Sequence, residues 1–301
     1  MLKNKKFAVI FSILAMLLWG SAIPTIKTTY LELGIGGADT GQKIALAGIR
    51  FFVAGLITLI YFLIFDRNFK DFKKLDWKFV LILGLLQTAI QYIFYYIGLS
   101  NTLGVKSSII QASNSLIVVI LSAFLLPEDK INAKMIIALI LGSLGIIITN
   151  TGSSIEGGLT LTGEGFIIIS TTINALCTIL VRKYGRGENP YLLTGFQFLL
   201  GSVFMILLGI SLGGFTLNFN LKASILLAYA AFISATAFTI WTIVLKYHSA
   251  NEFGIYKLFI PIFGSLLSIL FLGEPFGLRL GIGMALVLFA SFLLNLNKTK
   301  A

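Results

Sequence analysis

The sequence predicts an all-α polytopic membrane protein whose ten transmembrane helices form two inverted five-helix repeats. Three observations lead there. Of 301 residues, 57% are hydrophobic and only 12% charged, whereas a soluble domain carries about 25% charged and 45–50% apolar residues. Ten runs reach the roughly 20 mostly apolar residues that a bilayer crossing needs. The second half of the chain echoes the first, with an odd number of runs in each.

The runs cover residues 7–27, 43–65, 78–99, 106–126, 132–150, 163–183, 190–213, 222–246, 251–272 and 278–296. The first follows Lys3, Lys5 and Lys6, and Gly20-Ser21-Ala22 loosely mimics a signal-peptide cleavage site. Its apolar character continues to about Ile26, long enough to span, so it reads as an uncleaved first helix. The longest polar connection is DRNFKDFKKLD at 66–76, so no soluble domain lies between spans. With a cytoplasmic amino terminus, most lysines and arginines fall on the cytoplasmic side, among them Lys5, Arg67, Lys70, Lys73, Lys74 and Lys183. This positive-inside bias places both termini in the cytoplasm and the multi-pass chain in the plasma (cytoplasmic) membrane.

The repeat divides the chain at 1–150 and 151–301. A shift of 146 residues lays LLPEDK (125–130) over FLGEPF (271–276), with Glu128 on Glu274. Near the start of each half the shift is closer to 155, and Lys27 falls on Arg182. Five spans per half force the second half to insert upside down relative to the first. Inverted repeats place a substrate site near the midplane and permit rocking between two open states.

Candidate site residues are the polar and helix-breaking ones inside spans. Lys257 sits in the ninth run four residues before Pro261. A charge at mid-span costs about 3 kcal/mol on insertion scales, so it faces a cavity, where it can hold a substrate carboxylate, or snorkels to the interface. Pro261 and Pro24 each remove a backbone hydrogen bond and are expected to break their helices beside the site. Gln87, Gln91 and Tyr95 have i, i+4, i+8 spacing on the third helix, which puts them on one face toward the cavity. Gln111 and Asn114 stand three apart on the fourth, and the sixth offers Ser170, Thr171 and Asn174. The aromatic residues Trp19, Tyr95, Tyr256 and Trp241 are expected to shape an amphipathic pocket. Glu128 and Glu274 close the fourth and ninth spans as gate or loop anchors, paired with basic residues such as Lys130 or Arg279. Glu252 is expected to be the only acidic residue to enter a span, and Arg50 to lie near the interface.

Several function classes are disfavoured. The net charge of +11 is spread over short connections and forms no phosphate-tracking surface, so nucleic acid is not an expected partner. One cysteine, Cys177, and one histidine, His248, allow no disulfide and no multi-histidine metal centre. No G-x-x-x-x-G-K-[ST], H-E-x-x-H or G-x-S-x-G motif occurs, and no cofactor is called for. An intramembrane enzyme, or a non-transporting sensor or assembly protein, are the rival readings to a transporter. The first lacks a catalytic constellation, and the second has no use for a polar stripe on several helices. Ala138-x-x-x-Gly142 and Gly281-x-x-x-Ala285 permit close helix approach within the protomer or in a homodimer.

The stretches at 101–130 and 246–275, with Trp19-Gly20, Ser249-Ala250, Pro261 and Gly273-Glu274, resemble the drug/metabolite transporter superfamily, and within it the ten-helix EamA-type branch. The resemblance implies two five-helix repeats around a central cavity. It also implies transport of small organic molecules, often export of amino acids or other metabolites. Many such proteins carry a glutamate just before the ninth-helix proline. Here that position is Ile260, and the cation Lys257 lies one turn earlier.

Overall fold

The structure, a computed structural model, describes residues 4–125, 133–150, 160–185, 187–214, 216–247 and 254–296. The described residues are all helical or connecting, with no strand. In chain order the α-helices are α1 Lys5–Leu33, α2 Thr40–Phe65, α3 Lys70–Lys74, α4 Trp77–Leu83, α5 Gln91–Ser100, α6 Gly104–Ala112, α7 Asn114–Leu125 and α8 Ala133–Asn150. The second half contributes α9 Phe166–Tyr184, α10 Pro190–Ser211, α11 Leu221–Tyr247, α12 Phe259–Leu272 and α13 Leu278–Leu296. Within the described residues, each of the ten predicted apolar runs falls on one helix or on successive helical segments. Six are long and apolar enough to cross a membrane: Lys5–Leu33, Thr40–Phe65, Trp77–Ser100, Leu161–Val181, Pro190–Ser211 and Leu221–Val244. Shorter apolar helices run over Ile136–Thr149, Tyr256–Leu272 and Leu278–Leu293. Large apolar side chains such as Phe124, Leu207, Leu270 and Ile225 are exposed on the outside of the bundle. That surface suits lipid, since soluble proteins rarely expose large contiguous apolar patches.

Helix ends follow local rules. The Asn4 side chain caps α1 by accepting from the Lys6 N–H at 2.9 Å. That helix stops at Gly34, whose φ of 65° sends the chain back so that the Ile35 N–H reaches the Tyr30 carbonyl at 2.9 Å. Asn189 caps α10 ahead of Pro190, and its amide also donates to Asp66 and Asp71, both at 2.9 Å. This ties the polar 66–76 connection to the start of α10.

Of the helix breaks expected at the two prolines, one occurs beside Pro261 and none at Pro24. Pro24 lies inside an unbroken α1. Pro261 occupies the first turn of α12, two residues after the 3-10 segment gives way to α-helix at Phe259, and its missing N–H removes the i to i−4 bond to Lys257. Two further breaks lie away from any proline. Gly84–Ile90 is a π-helical segment joining α4 to α5. At Ser113 the fourth run splits into α6 and α7. The ninth run begins as a 3-10 helix, Gly254–Leu258, and becomes α-helical at Phe259.

Packing brings the two halves together. Helix α2 runs along α10, α8 along α13, and α12 crosses both α1 and α6. Helix α1 also packs on α11, while α5 and α7 pack on α9. The α2–α10 contact is close enough to exclude side chains. A Cβ on Gly48 would lie 2.7 Å from Ile206 Cγ1, and one on Gly209 would lie 2.5 Å from the Ala45 nitrogen. In the α8–α13 contact, a Cβ on Gly145 would lie 2.8 Å from the Gly283 carbonyl oxygen. Gly281 meets only the Phe276 ring, at 3.6 Å, so it does not set that approach. Ala138 is fully buried and Gly142 abuts Leu116 of α7, so this pair serves the protomer.

Candidate functional site

Mid-span polar side chains meet where the fourth run breaks. Gln111 lies in the last turn of α6, two residues before Ser113, and Asn114 starts α7 one residue beyond it. Asn114 donates its amide to Asn174 Oδ1 at 3.1 Å and to the Thr171 carbonyl at 3.2 Å. Asn174 in turn donates to Gln91 Oε1 at 3.2 Å. Gln111 donates to the Tyr95 hydroxyl at 3.3 Å. Four predicted residues, Gln91, Tyr95, Gln111 and Asn114, therefore gather on α5, α6 and α7, and Asn174 brings in α9 from the other half. Gln87 does not join them. Its i, i+4 step to Gln91 runs along the π segment Gly84–Ile90. Gln87 is half-buried and hydrogen-bonds no described residue.

Arg50 is the residue whose place the sequence misjudged most. It is 3% exposed, not interfacial. It lies ten residues into α2, about 15 Å from the helix start at 1.5 Å per residue. Its Nε donates to the Ala230 carbonyl at 3.0 Å and to Ser234 Oγ at 3.1 Å, and one terminal nitrogen donates to the Tyr96 hydroxyl at 3.0 Å. Tyr30 donates to the Tyr96 carbonyl at 3.0 Å. The rings of Tyr92, Tyr95 and Tyr96 touch one another at centroid distances of 5.8 to 6.5 Å. Their i, i+3, i+4 spacing was legible as a single helical face.

Lys257 stands at the other end of the same α11 face. Its ammonium lies 5.2 Å from the Trp241 ring centroid, a cation–π distance. Trp241 is seven residues from Ser234, two turns or about 10 Å along α11. Trp19 packs edge-on to Trp241 at 6.3 Å, and Tyr256 packs against the same cluster. Ring contacts then run without a gap from Trp19 through Phe238, Phe198 and Phe51 to Tyr92. An aromatic ribbon thus runs between the surroundings of Lys257 and those of Arg50.

At the end of the bundle that carries the α1–α2 turn, two carboxylates are held inside the protein. Glu274 accepts from the Gly104 and Val105 N–H groups at 2.7 and 2.9 Å and from Lys27 Nζ at 2.8 Å. It supplies the cap that α6 lacks, since Leu103 at its N-cap position has no side-chain acceptor. Its partner is Lys27 rather than a neighbouring loop residue. Glu164, 3% exposed in the π turn Leu161–Gly165, accepts from the hydroxyls of Thr102 and Thr160 and the Thr160 N–H, with Lys106 Nζ at 3.8 Å. The expectation that Glu252 is the only acidic residue to enter a span is therefore corrected by Glu164. Glu252 itself, Glu128 and His248 lie outside the described residues. No metal-holding cluster of histidine, cysteine or carboxylate side chains occurs among the described residues.

The profile of the EamA-like transporter family matches the chain twice, over residues 6–151 and 161–296. The chain belongs to the EamA-like transporter family. It is a multi-pass membrane protein of transporter type. It is 27% identical over 258 residues to the uncharacterized transporter YetK of Bacillus subtilis (strain 168), covering 84% of this chain and 78% of that one. It is 22% identical to an uncharacterized transporter of Archaeoglobus fulgidus, covering 87% and 88%. A WAT1-related chloroplastic protein of Arabidopsis thaliana is 24% identical over 292 residues, covering 92% of this chain and 66% of that one. A crystal structure of a protein 16% identical superposes over 96% of both chains with a TM-score of 0.68, which shows a shared fold.

Proposed function

We propose that this EamA-family transporter exports a small amphipathic organic solute, an amino acid or related metabolite, across the cytoplasmic membrane by alternating access. All ten apolar helices span the membrane, both termini are cytoplasmic, and residues 1–150 and 151–301 are inverted repeats. One observation carries this reading. A shift of 146 residues takes the α6–α7 break at Ser113 to Phe259, where the ninth run changes from 3-10 to α. Paired discontinuities at corresponding positions of two inverted halves mark the substrate site of many secondary transporters, because only there is irregular backbone tolerated at membrane depth.

Packing supports the repeat. Exchange α1 with α9, α2 with α10, α4–α5 with α11, α6–α7 with α12, and α8 with α13. The contacts α2–α10, α8–α13 and α6–α12 map onto themselves, α1–α11 onto α9–α5, and α1–α12 onto α9–α7. In this reading the polar group of Gln91, Asn114, Asn174, Tyr95 and Gln111 orients the solute, and the aromatic ribbon accommodates its apolar part. Lys257 supplies a cation on the cytoplasmic side of the site. In this reading the Glu274 and Glu164 contacts close the outer end.

The test is reconstitution in liposomes with a panel of labelled amino acids and small metabolites, with and without a pH gradient. Saturable uptake or exchange of a panel member is the expected result. Its absence for every solute, in protein shown to be folded, would overturn the transport reading.

A further inference from the structure

We infer that Arg50 is the anion-binding group of the site, so that the solute carries a carboxylate or phosphate. This rests on the solute-carrier reading for the route by which the anion arrives. The guanidinium is fully ionised at any physiological pH. Its three hydrogen bonds all go to neutral acceptors: a backbone carbonyl, a serine and a tyrosine hydroxyl. No aspartate or glutamate among the described residues pairs with it. A buried charge is ordinarily paired, and here the guanidinium lies 5.2 Å from the Phe51 ring centroid and meets only neutral acceptors, with no carboxylate beside it among the described residues.

The geometry of the fork points the same way. The bonds engage Nε and one terminal nitrogen, and the second terminal nitrogen has no acceptor among the described residues. An oxyanion is the partner such a fork takes most strongly, through two parallel N–H···O bonds. The three neutral contacts come from α11 and α5, so the guanidinium is already oriented before any anion binds. Tyr95 and Gln111, on the same tyrosine cluster, can hydrogen-bond the rest of a polar head. About 15 Å of helix separates Arg50 from the start of α2, too deep for a lipid headgroup docked at the interface.

The test uses the purified full chain in a neutral detergent and follows thermal stability as ligand is titrated. Succinate, phenylacetate and glycerol 3-phosphate are each compared with an uncharged counterpart: succinamide, phenylacetamide and glycerol. At least one acid is expected to stabilise the protein at a concentration roughly tenfold or more below its counterpart, as befits a charge-assisted pair. In Arg50→Gln that preference should shrink to under about twofold, while Arg50→Lys should keep part of it. Stabilisation by none of the acids, or equal potency of acid and neutral counterpart in the wild type, overturns the inference even if Arg50→Gln fails to fold. So does a full acid preference in a folded Arg50→Gln protein. Displacement of the acid by phosphatidylglycerol would assign the anion to lipid and overturn the solute assignment. An acid that binds through Arg50 but never crosses a liposome membrane would leave this inference standing and sink the transport reading.

Discussion

Lys27 Nζ lies 2.8 Å from Glu274 Oε1 although 247 residues separate them, and the same carboxylate caps α6 through Gly104 and Val105. One side chain thus ties together α1, α6 and the end of α12. Glu274→Gln keeps an acceptor but loses the charge that both the ion pair and the helix N-terminus favour. It is expected to lower unfolding stability by about 1–2 kcal/mol, and by more than Lys27→Met, which removes the pair and leaves the cap. Thermal unfolding of the two variants in detergent checks the order. A larger loss for Lys27→Met would show that the cap contributes little.

Asn174 joins Gln91 to Asn114. Asn174→Leu leaves two amides facing an apolar group inside the bundle. A buried polar group deprived of its partner costs about 1–3 kcal/mol. The expected outcome is a destabilised protein with solute affinity reduced at least tenfold, measured by unfolding and by uptake. Unchanged affinity would remove the amide chain from the proposed site.

Lys257 and Trp241 are in cation–π contact. Lys257→Met is expected to slow transport by at least about tenfold if the cation meets the solute, and to leave folding intact because Met retains the apolar stem. Tryptophan fluorescence should report solute binding in the wild type and change less in this variant. Uptake and pH dependence that match the wild type for every transported solute would reduce Lys257 to packing.

Gly48 has no room for a methyl group against Ile206. Gly48→Val is expected to cost about 1–3 kcal/mol by overpacking, with a matching loss for Gly209→Val against Ala45. By contrast Gly281→Ala, facing only a ring edge at 3.6 Å, should be close to neutral. Unfolding midpoints of the three variants test the ranking.

The orientation has a simple check in a Cys177→Ala background. A cysteine at Asn68 should react with an impermeant reagent only after the cell is opened, and one at Gly37 should react in intact cells. The reverse pattern would invert the proposed topology.

The apolar runs, and the polar residues set within them, were legible in the sequence alone. Hydrophobicity summed along a helix-length window is a local property, so all ten apolar runs fell on helices within a few residues. Gln91, Tyr95, Gln111 and Asn114 were legible as mid-span polar groups for the same reason. Tertiary structure alone decided how they are used. Gln91 is engaged by Asn174 from the other half, while Gln87 hydrogen-bonds no described residue. Pro24 is carried inside an unbroken α1, while the helices broke at Ser113, which no proline marks, and at Phe259, two residues before Pro261. Arg50 proved deeply buried because α5 and α11 supply its hydrogen-bond partners, and Glu274 chose Lys27 across 247 residues. Long-range pairing depends on which helices become neighbours. In this chain that was set by close glycine contacts such as Gly48 on Ile206, whose meaning appears only once two helices are laid side by side.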